Sequence, residues 1–244
     1  MWDQHMHCMF SGDSDADPVL MINSAINKGL DGICFTDHLD YDYKEEPGLF
    51  DLDIAAYEKR IKRLAIVLKE KGCPINIHWG IEIGLQPHIT DKNNEVAKKY
   101  PFGSSHVVNG IDPYYPAFYK GKTEHEAYTE YFESILDNLH SGADFDVYGH
   151  IDYVVRYGPD KNKYYSYERY ADIIDAILKE IISQGKGIEL NTAGFKYGLG
   201  HSNPTEDVLK RYHELGGEII TVGADAHKPE HVAYDFDKVS NILK

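Results

Sequence analysis

The chain has 244 residues, 42% of them hydrophobic and 27% charged, which excludes a disordered polymer and leaves room for one large core. Forty acidic residues against 25 Lys and Arg give a formal charge of −15, which disfavours long nucleic acid and anionic membrane as partners. No apolar run is long enough to cross a bilayer, and the opening MWDQHMHC has neither a basic nor an apolar leader pattern, so a cytoplasmic protein is expected.

The elements are read from hydrophobic periodicity, in chain order. A strand over residues 2–7 is followed by a helix over 18–28, with Pro18 at a first-turn position. A strand at 32–37 leads to a helix at 53–71, whose Ile54, Tyr57, Ile61, Leu64, Ala65 and Leu68 form a 3.6-residue stripe. Strands at 75–83 and 102–108 precede a helix at 124–140, and a strand at 145–150 precedes one at 167–183. Strands at 187–191 and 218–224 are followed by shorter helices at 204–215 and 231–243 respectively. No Ser/Gly-rich or Pro-rich linker interrupts the series, so residues 1–244 are expected to form a single domain. Seven βα units point to an α/β barrel of the TIM kind, one unit short. An open doubly wound sheet is the alternative; no glycine-rich phosphate loop follows the first strand to favour it.

Three cysteines, Cys8, Cys34 and Cys73, are too scattered for a disulfide framework and read as reduced thiols. The 13 histidines are more informative, because many fall at strand C-terminal ends, where barrel active sites lie. These ends are His5-Met6-His7, Thr36-Asp37-His38, Gly80-Ile81-Glu82, Ser104-Ser105-His106, Gly149-His150-Ile151-Asp152 and Asp225-Ala226-His227. A two-residue spacing puts His5 beside His7 on one strand face, and parity turns Glu82 away from Ile81 and Ile83, into the barrel mouth. Asp225 and His227 take the parity opposite to Ile220 and Val222. Any one of these motifs is weak, but so many uncompensated polar side chains converging on one lumen would be costly without metal ions to pair them. His88, His125, His140, His213 and His231 read as surface or structural, His78 as a satisfied core histidine, and His201 as a loop residue near the mouth.

Taken together and in order, HMHCMFSGDS, FTDH, GIEIG, SSHVVNG, GHIDYV, NTAG and GADAH resemble the polymerase and histidinol phosphatase (PHP) superfamily, from His5 to His227. Within it, SSHVVNGID, HIDYVVRYGP and ELNTAGFKYG resemble the monofunctional histidinol-phosphate phosphatases. The resemblance implies a distorted (β/α)7 barrel with three divalent ions. His5, His7, Glu82 and Asp225 would hold the first, and Glu82 with His106 and His150 the second. Asp13, His38 and His227 would hold the third. The donors suit zinc, iron or manganese and disfavour calcium. A hydroxide between the two ions bridged by Glu82 would attack phosphorus without a phosphoenzyme. Asp15, Asp17 or a water on the third ion would protonate the leaving alkoxide. Arg156 and Lys196 would contact phosphate, Arg156 also as part of the catalytic machinery. The tyrosine-rich segments 112–119 and 157–170 either wall the pocket or pack as amphipathic rings.

The expected activity is phosphomonoester hydrolysis of L-histidinol phosphate, in histidine biosynthesis. A broad phosphoesterase or a nuclease acting on short nucleic acids is the alternative within the superfamily. An amidohydrolase would call for a bridging Lys on the fourth strand and an eighth unit, and a metal-bound scaffold would have lost ligands; neither pattern is present.

Overall fold

The computed structural model describes all 244 residues. Seven parallel strands form in chain order: β1 (Trp2–Met6), β2 (Gly32–Leu39), β3 (Asn76–Gly84), β4 (Phe102–Ser104), β5 (Val147–Tyr148), β6 (Gly187–Asn191) and β7 (Ile220–Gly223). Each pairs with the next. Across the remaining seam Met6 bridges Ala226, His7 N–H donates to Ala226 O at 2.8 Å, and Asp225 N–H donates to His5 O at 2.9 Å. Strands that pair in sequence order and meet again at a seam make a nearly closed, distorted (β/α)7 barrel, so the open doubly wound alternative is excluded.

Around the barrel lie α1 (Pro18–Asn27), α2 (Ile54–Glu70), α3 (Thr90–Ala97), α4 (Glu124–His140), α5 (Ala171–Ser183), α6 (Ala193–Lys196), α7 (Glu206–Glu214) and α8 (Val239–Ile242). Their starts follow local chemistry. Asp17 accepts from Val19 N–H at 2.7 Å, Asp53 accepts from Ala56 N–H at 3.0 Å, and Thr123 with Glu126 forms a capping box before α4. The apolar stripe of α2 buries Tyr57, Ile61 and Leu64, and the Tyr57 hydroxyl donates to Gly80 O on β3 at 2.9 Å.

Several boundaries differ from the periodicity. Residues 167–170 precede α5 partly as a 3-10 turn, and α3 and α6 were not anticipated. The expected helix at 231–243 is broken into short turns and α8, because Ala233 (φ 47°) and Asp235 (φ 53°) take left-handed backbone. Ala233 is held there by its N–H, which donates to the buried Asp3 carboxylate at 2.8 Å. Strands β4, β5 and β7 are shorter than expected, in two of the three cases because side chains take over the ladder. His150 N–H donates to Glu189 at 3.0 Å instead of to a neighbouring strand, and Ala224 N–H to Asp3 at 3.0 Å. Asp37 similarly accepts from Cys8 and Ser11 N–H at 2.8 and 3.0 Å, shaping the turn after β1. His78 is not a core residue: it is exposed at the opposite end of the barrel, edge-on to Trp2 at 5.0 Å.

Candidate metal centre

Glu82 lies on β3 directly across from His38 on β2 and is fully buried. Its two oxygens face different imidazoles. Oε2 is 3.1 Å from His5 Nε2, 3.4 Å from His7 Nε2 and 3.2 Å from His38 Nδ1. Oε1 is 3.2 Å from His106 Nε2 and 2.9 Å from His150 Nε2. Asp225 Oδ1 is 3.3 Å from His7 Nε2 and 3.6 Å from His5 Nε2. Asp13 Oδ2 is 2.9 Å from His227 Nε2 and 3.7 Å from His38 Nε2. The barrel thus gathers all nine residues singled out in the sequence. His38 stands between Glu82 and Asp13, facing both. Asp225 and His227 arrive by a turn rather than by strand parity: β7 has ended, and Asp225 sits at φ 51°.

Three residues not singled out in the sequence orient these rings. His5 Nδ1 lies 2.7 Å from Glu189, His106 Nδ1 lies 2.8 Å from Asp40, and His7 Nδ1 lies 3.0 Å from Ser11 Oγ. Glu189 sits on β6 inside ELNTAG, two positions before the strand end, and Asp40 directly follows β2. Asp40 is legible as an acidic residue directly after the histidine-bearing end of β2, whereas the end of β6 carries no histidine to mark Glu189.

The donor set suits divalent cations. With Nδ1 of His5 donating to Glu189 and Nδ1 of His106 donating to Asp40, both neutral rings aim an Nε2 lone pair at the Glu82 carboxylate. Lone pair then meets lone pair, and His5 Nε2 also lies 3.0 Å from His7 Nε2. His38 Nδ1, His150 Nδ1, His227 Nε2 and Asp40 Oδ2 are buried without a hydrogen-bond partner. Cations among the nitrogens that face Glu82 and Asp225 would engage those lone pairs. The site's own protons point the same way. Burial disfavours charge on His5, yet Glu189, Glu82 and Asp225 lift its pKa well above the ordinary value, and Asp40 and Glu82 do the same for His106. Burial works against the Glu82 carboxylate too, but His5, His38 and His106 hold its pKa well below the usual range. Burial pushes His7 and His150 the other way, so the carboxylates favour positive charge at His5 and His106 and not at every ring.

A cavity of about 570 Å³ opens above this cluster, in the range of small-molecule sites. Arg156 and Lys196 both line it. The Arg156 guanidinium is buried and donates to Asp225 Oδ2 at 2.6 Å, Asn203 Oδ1 at 2.9 Å and Asn191 Oδ1 at 3.1 Å. Three of its five N–H groups are therefore engaged, and two remain for a ligand. Lys196 donates to Asp225 O at 2.9 Å. Of the tyrosine-rich segments, Tyr114, Tyr115 and Tyr157 reach the cavity, joined by Tyr43, Tyr153 and Tyr197. His231 lines it as well, whereas His201 does not and instead faces Ser202 O at 2.6 Å. Asp15 and Asp17 lie outside it, and Asp17 is the cap of α1. Glu46, Leu49 and Phe50 complete one wall from the long β2–α2 connection, whose length was itself a sign of function.

Gly223 lets β7 pass beside this cluster. A Cβ there would overlap the His5 Cβ and Glu189 Oε1. Gly223→Ala is expected to cost about 1–3 kcal/mol of stability and to lower metal affinity through His5. Thermal melts and chelator competition check this; an unchanged metal affinity would show that His5 tolerates displacement.

The profile of the PHP domain matches residues 3–193. The chain belongs to the PHP domain family. Among curated relatives, the histidinol-phosphatase of Lactococcus lactis is 32% identical over 252 residues, covering 99% of this chain and 90% of the relative. The probable histidinol-phosphatase of Clostridium acetobutylicum is 32% identical over 251 residues, with 100% and 92% covered. The crystal structure of the Lactococcus lactis histidinol phosphate phosphatase, complexed with zinc, L-histidinol and phosphate, superposes on this PHP domain with a TM-score of 0.89. That pair is 31% identical, with 99% of this chain and 92% of the other covered. A putative histidinol phosphatase from Listeria monocytogenes shares the fold, at a TM-score of 0.81 and 18% identity.

Proposed function

We propose that this PHP domain is a metal-dependent histidinol-phosphatase, releasing phosphate and L-histidinol from L-histidinol phosphate in histidine biosynthesis. The observation that carries the reading is one cavity with two unlike ends above a metal-competent floor. Near the metal cluster stand the cations Arg156 and Lys196, suited to a phosphate. From Arg156 the wall runs through Tyr197, Tyr157 and Tyr114 to Tyr115, with successive ring centroids 5.1–5.6 Å apart. Tyr115 ends the wall by donating to the exposed Glu46 carboxylate at 2.8 Å. An ester with phosphate at one end, an amine along the short chain and a flat, protonatable imidazole at the other end fits that polarity.

His5, His7, Asp225 and Glu82 would hold one ion, Glu82, His106 and His150 a second, and Asp13, His38 and His227 a third, with zinc, iron or manganese as the matching metals. Bound ions supply a water of lowered pKa and neutralise charge on the phosphoryl oxygens. The chain's residues do the rest. Glu189 and Asp40 hold the Nδ1 protons of His5 and His106, so that Nε2 is the nitrogen that faces an ion, Arg156 and Lys196 orient the phosphate, and the tyrosines exclude bulk water.

Purified protein is expected to release phosphate from histidinol phosphate far faster than from nitrophenyl phosphate, a nucleoside monophosphate or a dinucleotide, and to lose activity with chelator. A preference for the dinucleotide would sink the assignment. Glu46→Gln is expected to lower kcat/KM for histidinol phosphate about fivefold, roughly 1 kcal/mol, and to leave nitrophenyl phosphate unaffected. Equal losses on both esters would remove Glu46 from recognition of the cationic end.

A further inference from the structure

The buried carboxylate of Asp152 has no place in the metal cluster or the cavity wall, although it belongs to the GHID strand end. Its contacts run elsewhere. Asp152 Oδ1 accepts from Asn203 Nδ2 at 2.6 Å, and Oδ2 accepts from Thr205 N–H at 3.3 Å. Asn203 turns its other face to the cavity floor, where Oδ1 accepts from Arg156 Nε at 2.9 Å.

An asparagine amide has a donor side and an acceptor side that differ little in shape, so its neighbours decide which way it points. A carboxylate accepts only. Asp152 therefore fixes the Asn203 NH2 toward itself and leaves the Asn203 carbonyl oxygen for Arg156. On the other edge of the guanidinium, Asn191 is set in the same way: its Nδ2 donates to Glu189 at 3.0 Å and its Oδ1 accepts from Arg156 Nη2 at 3.1 Å. Glu189 also holds His5, so its removal would disturb the metal cluster directly. Asp152 instead meets Asn203 and the Thr205 N–H and no residue of the metal cluster.

We propose that Asp152 is a positioning residue for phosphate binding, acting through Asn203 to aim the two free N–H groups of Arg156 at the substrate. This rests on the reading of Arg156 as a phosphate contact. In Asp152→Asn the new amide can turn its NH2 toward Asn203. Asn203 must then flip, and its own NH2 would face the Arg156 Nε–H, donor against donor. The guanidinium loses one of its three anchors and its aim.

The test is the inhibition constant of inorganic phosphate at saturating metal. Asp152→Asn is expected to raise it about five- to twentyfold, with a matching rise in KM, a smaller change in kcat and unchanged metal content. Arg156→Lys is the control, and combining it with Asp152→Asn should add almost nothing, because both changes act through one group. The exchange Asp152→Asn with Asn203→Asp supplies a rescue. The amide placed at position 152 would donate to the carboxylate placed at position 203 and still accept from Thr205 N–H. That carboxylate would in turn accept from Arg156 Nε, so every hydrogen bond returns with the net charge unchanged. The exchanged protein is expected within about threefold of wild type for phosphate. A role confined to stability predicts no such recovery. If Arg156→Lys weakens phosphate binding and Asp152→Asn does not, the positioning role fails while Arg156 keeps its part. If Arg156→Lys also has no effect, the reading of Arg156 fails and takes the inference with it. Should Asp152→Asn not fold, the exchanged protein decides alone: phosphate affinity near wild type supports the role, and affinity as weak as that of Arg156→Lys overturns it.

Discussion

Glu82→Ala is expected to abolish turnover, lowering kcat about 10³-fold or more rather than merely raising KM. The reason is geometric. Glu82 Oε2 faces His5, His7 and His38, and Oε1 faces His106 and His150, so a single carboxylate joins two groups of donors. Its removal leaves four buried imidazoles and the partly exposed His38 without the one carboxylate they share, although Asp225, Glu189 and Asp40 remain at the edges. Two ions held here would lose the carboxylate shared between them, so metal should be lost as well as activity. Elemental analysis of wild-type protein purified without chelator should find two to three transition ions per chain, and the variant fewer. Glu82→Gln keeps the volume but turns an NH2 group toward one of the two donor sets, and should be nearly as damaging. Retention of about a tenth of wild-type kcat by Glu82→Ala would show that the carboxylate joins nothing essential.

Arg156→Lys should lower kcat/KM for histidinol phosphate by roughly ten- to a hundredfold, about 1.5–3 kcal/mol. A lysine ammonium can approach the phosphate but cannot keep three protein contacts and present two parallel N–H groups as well. The loss should fall on KM if the contact is equal in ground and transition states, and on kcat if it tightens as charge develops on the phosphoryl oxygens. From the sequence alone, metal binding would be expected to stay unchanged, since a guanidinium offers no lone pair. The 2.6 Å contact with Asp225 alters that expectation. Arg156 also steadies a carboxylate that stands beside His5 and His7, so metal affinity should weaken several-fold even where content at saturating metal is normal. The phosphate inhibition constant, measured for both proteins at equal metal occupancy, is the decisive comparison. Equal constants would place Arg156 outside the phosphate site and leave Lys196 and Lys228 as the lysines lining the cavity.

Local pattern was enough to expect the βα alternation and the strand-end residues that meet at the barrel mouth, whereas Asp13, in the loop after β1, came only with the PHP resemblance. Strand periodicity and the two-residue spacing of His5 with His7 are set by the pleat, and Glu82 could be aimed inward from its neighbours Ile81 and Ile83 alone. Closure of seven strands then brings any residue at a strand end to one place. The partners that join distant segments were a matter for the folded chain. Glu189 lies 184 positions from His5, and Asp40 lies 66 from His106, so no local pattern could announce those pairs. The same holds where side chains replace backbone ladders. Asp3 takes the N–H groups of Ala224 and Ala233, which ends β7 and breaks the helix that periodicity predicts for residues 231–243. The free hydrogen-bonding capacity of Arg156 was likewise invisible, because it depends on Asn191, Asn203 and Asp225 arriving from two other strand ends and a loop. Periodicity reports which face is apolar; which polar group ends up against which buried carboxylate is settled only when the chain closes on itself.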